Sequence, residues 1–130
     1  MSIEETTQFQ PDFDKLNRLA GQDVLPVAVQ DAATREVLLV AYTNREALDE
    51  TLRTGMLVLW STSRGSLWRK GESSGNTFAV REIRVNCEQN SFVYLVEARD
   101  GGICHTEDAG GARRSCYYRR VEPETGELCF

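Results

Sequence analysis

The chain has a single histidine, no Cys-x-x-Cys pair and no apolar run that approaches the length of a membrane span. The missing pair excludes zinc ribbons and fingers, which carry closely spaced thiols. The missing run excludes a spanning helix. The first twenty residues, Met1 to Ala20, are polar and lack the apolar segment of a secretory signal. An excess of positive charge is absent too: 15 Lys and Arg stand against 20 Asp and Glu, a formal charge of −5. A general nucleic-acid binder would need a basic face. The expected setting is the cytosol, where thiols stay reduced, so the four cysteines point to metal binding or catalysis ahead of disulfides.

What is present suffices for one domain. The chain has 130 residues, of which 41% are hydrophobic, enough to bury a core. Residues 1–23 read as an N-terminal arm, loosely ordered through Lys15, and residues 24–130 as the domain. Val24–Gln30 and Glu36–Tyr42 read as strands joined by a turn at Asp31–Thr34, a hairpin. Asn44 is a good N-cap, Glu46 lies in the first turn, and Ala47, Leu48 and Leu52 recur at helical spacing before Gly55, which predicts a helix over Arg45–Thr54. Met56–Trp60, Phe78–Val85, Phe92–Ala98 and Tyr117–Val121 read as further strands. Ser61–Ser66, Lys70–Gly75, Asn86–Ser91 and Glu107–Arg114 read as loops, and Asp100–Gly102 as a turn. Strands outnumber helices without βαβ alternation or internal repeat, so the fold class is α+β, mainly β.

Three thiols and the histidine fall within one thirty-residue stretch: Cys87, then Cys104-His105-Thr106, then Ser115-Cys116-Tyr117-Tyr118. Three thiolates suit a zinc ion that keeps one position open for water, the arrangement of catalytic rather than structural sites. Spacing alone is equally served by buried free cysteines acting as small hydrophobes. Cys129 offers a fourth ligand, yet near the C-terminus it reads as a bystander. His105, beside a candidate ligand, is placed to carry a proton. Asn86, Glu88 and Asn90 alternate around Cys87 and would share one face of an extended segment, either as oxygen ligands for a hard cation or as a polar loop edge. The segment Trp60–Gly75 mixes glycines, hydroxyls, cations and two tryptophans. Amides, hydroxyls and Arg/Lys make a phosphate cradle, and a tryptophan can stack on a base. The bland alternative is two surface loops with the tryptophans in the core. The clusters Arg64, Arg69, Lys70 and Arg113, Arg114, Arg119, Arg120 are local basic islands that can bind a small anion or simply face solvent.

Taken together, Trp60–Gly75, Cys87 in its polar turn, Cys104-His105-Thr106 and Ser115-Cys116-Tyr117-Tyr118 resemble phosphoribosyl-AMP cyclohydrolases of histidine biosynthesis. Ala41-Tyr42-Thr43-Asn44-Arg45-Glu46-Ala47-Leu48 resembles the same family, and the likeness runs from about Val24 to Arg120. It implies hydrolytic opening of the adenine ring of phosphoribosyl-AMP between N1 and C6. It also implies zinc on Cys87, Cys104 and Cys116, a magnesium requirement, and a homodimer whose zinc sites draw cysteines from both chains. The implied fold is a strand-rich pseudobarrel with one short helix.

Two departures stand out. Asn86, Glu88 and Asn90 occupy positions where the family carries three magnesium-binding aspartates, so the formal charge there falls from three acids to one, against what magnesium prefers. The loop Glu107–Arg114 between Cys104 and Cys116 is also longer than the family's usual arrangement. The expected substrate contacts are Ser61, Ser63, Arg64, Trp68, Lys70, Ser73 and Ser74, with Arg113 or Arg114 of the longer loop available for a phosphate. His105 is the expected catalytic residue, and a small nucleotide, not nucleic acid or membrane, is the expected partner. Two rivals stay open: a paralogue acting on another purine nucleotide, which the altered acidic triplet motivates, and a non-catalytic domain in which zinc serves only the fold.

Overall fold

The computed structural model describes residues 4–9, 19–72, 75–99 and 101–130. The expected N-terminal arm therefore falls partly outside the described residues, as do Ser73, Ser74 and Asp100.

Strand β1 (Leu25–Asp31) alternates: Val27 and Val29 are fully buried while their neighbours are not. The Asp31 carboxylate then closes the expected turn by accepting the N–H groups of Ala33 and Thr34 at 2.9 and 2.8 Å. Strand β2 (Val37–Thr43) returns antiparallel. Helix α1 (Arg45–Thr54) begins where the Asn44 side chain accepts the Ala47 N–H at 2.9 Å. It ends at Gly55, whose φ of 73° suits glycine and whose N–H reaches the Thr51 carbonyl. Thr51, buried, ties the helix to β3 (Val58–Ser61) by donating to the Val58 carbonyl and accepting its N–H. Strands β4 (Ser66–Arg69), β5 (Phe78–Val85) and β6 (Phe92–Ala98) complete a six-stranded sheet of order β4-β3-β2-β1-β6-β5, in which only β1 and β6 run parallel.

The sheet is curled. Met56, just before β3, bridges Ala79 of β5, and Leu57 and Val80 exchange backbone bonds with Phe78 and Gly55 at 3.0 and 2.8 Å. The chain entering β3 thus reaches across to β5 at the far edge, which gives the expected mainly-β pseudobarrel, with the short helix α1 packed on it. Val27, Val29, Leu38, Leu59, Phe78, Tyr94, Val96 and Ile103 fill its interior. Removing about six methylenes' worth of such contacts, as in Phe78→Ala, costs about 3–5 kcal/mol in a core of this kind.

Three local expectations need correction. The expected loop Ser61–Ser66 is shorter, because Ser61 pairs with Ser66 in a β3–β4 hairpin whose second strand takes in Leu67 and Trp68. The expected loop 107–114 contains a small hairpin, β7 (Glu107–Asp108) on β8 (Gly111–Ala112). The expected strand Tyr117–Val121 shrinks to β9 (Arg120–Val121), which pairs with β10 (Leu128–Cys129). Residues 117–119 are drawn elsewhere: the Tyr117 N–H goes to the Ser115 hydroxyl at 3.0 Å, and Tyr118 and Arg119 bond the carbonyls of Glu4 and Thr6. Among the described residues no helix is long and apolar enough to cross a membrane.

Candidate active site

Cys104 and Cys116 are brought together. The segment after β6 carries Ile103 into the core and Cys104 with it; both are buried. Gly102 permits this, since a Cβ there would meet the Arg113 carbonyl at 2.3 Å. The Cys104 N–H donates to the Arg113 carbonyl at 3.0 Å, and the Cys116 N–H donates to the Leu38 carbonyl at 2.8 Å. Ser115, also buried, donates to the Val37 carbonyl at 2.9 Å. These backbone anchors set the two thiols close enough for Cys104 to influence the ionisation of Cys116. The Thr106 hydroxyl lies 2.9 Å from Cys104 Sγ.

Lys70 completes the group. Its ammonium is close enough to feel both sulfurs and lies 5.9 Å from the Trp68 ring. Burial lowers its pKa while Cys116 and Cys104 oppose that shift. Burial also pushes the Cys116 thiol up to about 12, helped by the charge and hydrogen bond of Cys104 and opposed by Lys70. Two adjacent thiols cannot both ionise cheaply without a cation between them.

Cys87 is elsewhere. It lies exposed in the turn between β5 and β6. That turn is at the Phe92 end of β6, which pairs with Val27, whereas the thiol pair is at the opposite end, where Val96 pairs with Asp31 and β2 starts. The six steps of β6 from Phe92 to Ala98 cover about 20 Å. Accordingly, no group of three His, Cys, Asp or Glu that could hold a metal forms among the described residues. Cys129 sits in β10, where its sulfur accepts from Arg120 at 3.7 Å.

The donor chemistry of the two candidate metal positions differs. Two soft sulfurs held by backbone anchors beside a hydroxyl suit zinc, with one further thiol needed. Asn86, Glu88 and Asn90 do converge, but on one another. Asn86 Oδ1 accepts the N–H groups of Asn90 and Ser91 at 2.8 and 3.0 Å, and its Nδ2 donates to Asn90 Oδ1 at 2.6 Å. Asn90 Nδ2 in turn donates to Glu88 at 3.3 Å. The amide oxygens are spent inside the turn and one carboxylate is left, a donor set that does not fit magnesium.

A groove of about 300 Å³ lies between Leu39–Tyr42 of β2 and the β3–β4 hairpin. Trp60 and Trp68 line it, as do Ser61, Thr62 and Ser63. Its end at Leu39 adjoins Leu38, the anchor of Cys116. At the hairpin turn the Ser61 hydroxyl lies 3.4 Å from that of Ser63 and accepts from Arg64 Nε at 3.2 Å. Ser61, Ser63, Arg64, Trp68 and Lys70 are thus gathered along one hairpin.

His105 turns the other way. Cys104 and Thr106 are buried and His105 between them is exposed, its Nε2 bonded to the Glu4 carboxylate at 2.5 Å. Arg113 and Arg114 are both engaged within the chain. Arg113 makes a two-pronged pair with Glu5, at 2.8 and 3.1 Å, and lies 4.0 Å over the Tyr118 ring. Arg114 pairs with Glu36 and, at 3.2 Å, with Asp31. Sequence reasoning did not find Thr106, Glu4 or Glu5 as site neighbours. Thr106 was legible in principle, since alternation puts it on the same side as Cys104. The Glu4 and Glu5 contacts, 101 and 108 residues away in sequence, leave no local signal.

Comparison with known proteins identifies the family. Residues 39–118 match the family model described as phosphoribosyl-AMP cyclohydrolase. A protein of that name from Methanosarcina barkeri is 48% identical over 120 residues, 92% of this chain and 87% of that protein. Others so named, from Hyphomonas neptunium and Brucella anthropi, are 45% and 44% identical over 92% and 98% of this chain, and 82% and 83% of their own lengths. The matched span holds the groove, the Cys87 turn and the Cys104–Cys116 pair, and the chain belongs to the phosphoribosyl-AMP cyclohydrolase family.

Proposed function

We propose that the chain hydrolyses the adenine ring of phosphoribosyl-AMP between N1 and C6 in histidine biosynthesis, with zinc shared between two copies. The family supports the activity. The observation that carries the shared zinc is the split of the thiols: Cys104 and Cys116 pair at one end of the barrel, and Cys87 stands exposed at the other. Cys87 of a second copy supplies the third sulfur. Apolar residues near the pair support such an assembly, since Val37, Val40 and Tyr117 are 44, 46 and 59% exposed.

Zinc, when bound, supplies the Lewis acidity that makes water nucleophilic near neutral pH. The chain's own residues do the rest. Trp68 offers a face on which the purine stacks. Lys70 balances the negative charge of the thiolates and of the ring as it opens. Ser61, Ser63 and Arg64 receive a phosphate, the guanidinium and hydroxyls being its usual partners. His105, which faces away from the thiols with Nε2 on Glu4, would have to swing toward the groove to carry the proton that goes to the departing ring nitrogen.

Magnesium has no resident place at the Cys87 turn, for the reason given by its donor set. A domain in which zinc serves only the fold would not need a groove lined by two tryptophans, and this favours the enzyme. The test is turnover of phosphoribosyl-AMP by purified protein, followed by the absorbance change on ring opening, with zinc measured on the same sample. The proposal expects turnover and about one zinc per chain. Zinc without turnover would return the reading to the fold-stabilising alternative.

A further inference from the structure

The segment 4–9 is fastened across the thiol-bearing part of the chain at several points. The Glu4 carbonyl accepts from the Tyr118 hydroxyl at 2.6 Å, the Thr6 carbonyl from Arg119 at 2.6 Å, and the Thr7 carbonyl from the Leu128 N–H at 2.9 Å. Glu5 grips Arg113 with both carboxylate oxygens, and the guanidinium is sandwiched against Tyr118. The Arg113 side chain is only 11% exposed. Its backbone is bonded to both sides of the candidate ligand: the carbonyl to the Cys104 N–H and the N–H to the Thr106 carbonyl, each at 3.0 Å. One residue therefore connects Glu5 to the backbone that aims Cys104.

We infer that Glu5, acting through Arg113, is a positioning residue for the Cys104–Cys116 pair, and that Glu4–Thr7 is the brace that holds it. The inference rests on the proposed role of those thiols. A two-pronged carboxylate–guanidinium contact fixes direction as well as distance, and a supporting contact of this kind typically matters 10- to 100-fold to a metal site or its reaction. The brace also explains why Arg113 is placed here: it fastens one side of the longer loop between Cys104 and Cys116 to Glu5, while Arg114 fastens its other side to the β1–β2 turn.

The test compares wild type, Glu5→Gln and the exchanged pair Glu5→Arg with Arg113→Glu. Turnover is measured together with the rate at which a thiol reagent labels each cysteine in the metal-free protein, and melting temperature is recorded alongside. Labelling is run on metal-free protein dilute enough to be monomeric, in which Cys87, about 20 Å away along β6, is the internal control. The expected result for Glu5→Gln is kcat down about tenfold with KM nearly unchanged, faster labelling of Cys104 and Cys116, and an unchanged Cys87 rate. The exchanged pair should restore much of both. If Glu5→Gln leaves the Cys104 and Cys116 rates at wild type, or raises all three cysteines together, the positioning role is wrong. Because labelling does not depend on substrate, a wild type without turnover would count against the proposed function while leaving this inference decided.

Discussion

At the scale of single residues, His105 and Lys70 are the two groups able to move or balance a proton beside the thiols, and they face differently. Lys70 lies near enough to interact electrostatically with both sulfurs; His105 bonds Glu4. Replacing His105 with Ala should lower kcat about 10²- to 10⁴-fold with a small change in KM, the usual effect of removing a general acid or base. A His105→Ala enzyme with full kcat would move the proton role to Lys70. The Cys87 turn makes a second residue-scale prediction. With Asn86 and Asn90 bonded to each other, the protein should show no magnesium binding by calorimetry in the absence of substrate. Asp at positions 86, 88 and 90 removes the amide donors and adds charge, so that variant should bind the ion. Equal binding by both proteins would show that charge at this turn does not control the ion.

At the scale of elements, helix α1 is held to the hairpin by Glu50, which bonds Arg53 and reaches Arg69 of β4 at 2.8 Å. The Arg53 hydrogen bond, then that of Arg69, lowers the Glu50 pKa from 4.5 to about 2. A depressed carboxylate stabilises the fold fully above its ordinary value and loses that contribution as pH falls toward the folded value. The difference in melting temperature between wild type and Glu50→Gln should therefore be constant above pH 4.5 and shrink toward pH 2. A difference that grows on acidification would reverse the sign of the argument. The same helix was fully legible in the sequence, because its start and stop are local: the Asn44 cap and the left-handed Gly55 lie within the segment. The β3–β4 and β7–β8 hairpins were not, because four- and two-residue strands carry too few alternations to show a period. The last strand was overextended because the bonds that claim Tyr118 and Arg119 come from the other end of the chain.

At the scale of the molecule, the candidate site was legible in parts. Cys104 and Cys116 could be chosen from their motifs, and the hairpin gathers Ser61, Ser63, Arg64, Trp68 and Lys70 as one surface. The sequence could not reveal that the curl of the sheet puts Cys87 at the opposite end from its fellow thiols, since that follows from the parallel pairing of β1 with β6. In a symmetric dimer with two such ends facing, as proposed, each site would take Cys87 from one protomer and the thiol pair from the other. The most direct measurement is mixing. Cys87→Ala and Cys104→Ala are each prepared, assayed alone, then allowed to exchange subunits at equal concentration. Shared zinc sites predict that each variant alone lacks activity and bound zinc. The mixture should recover about a quarter of wild-type activity, since half the dimers are mixed and each carries one intact site. A mixture that stays inactive after proven subunit exchange, or a Cys87→Ala protein with full activity and zinc, would contradict the account.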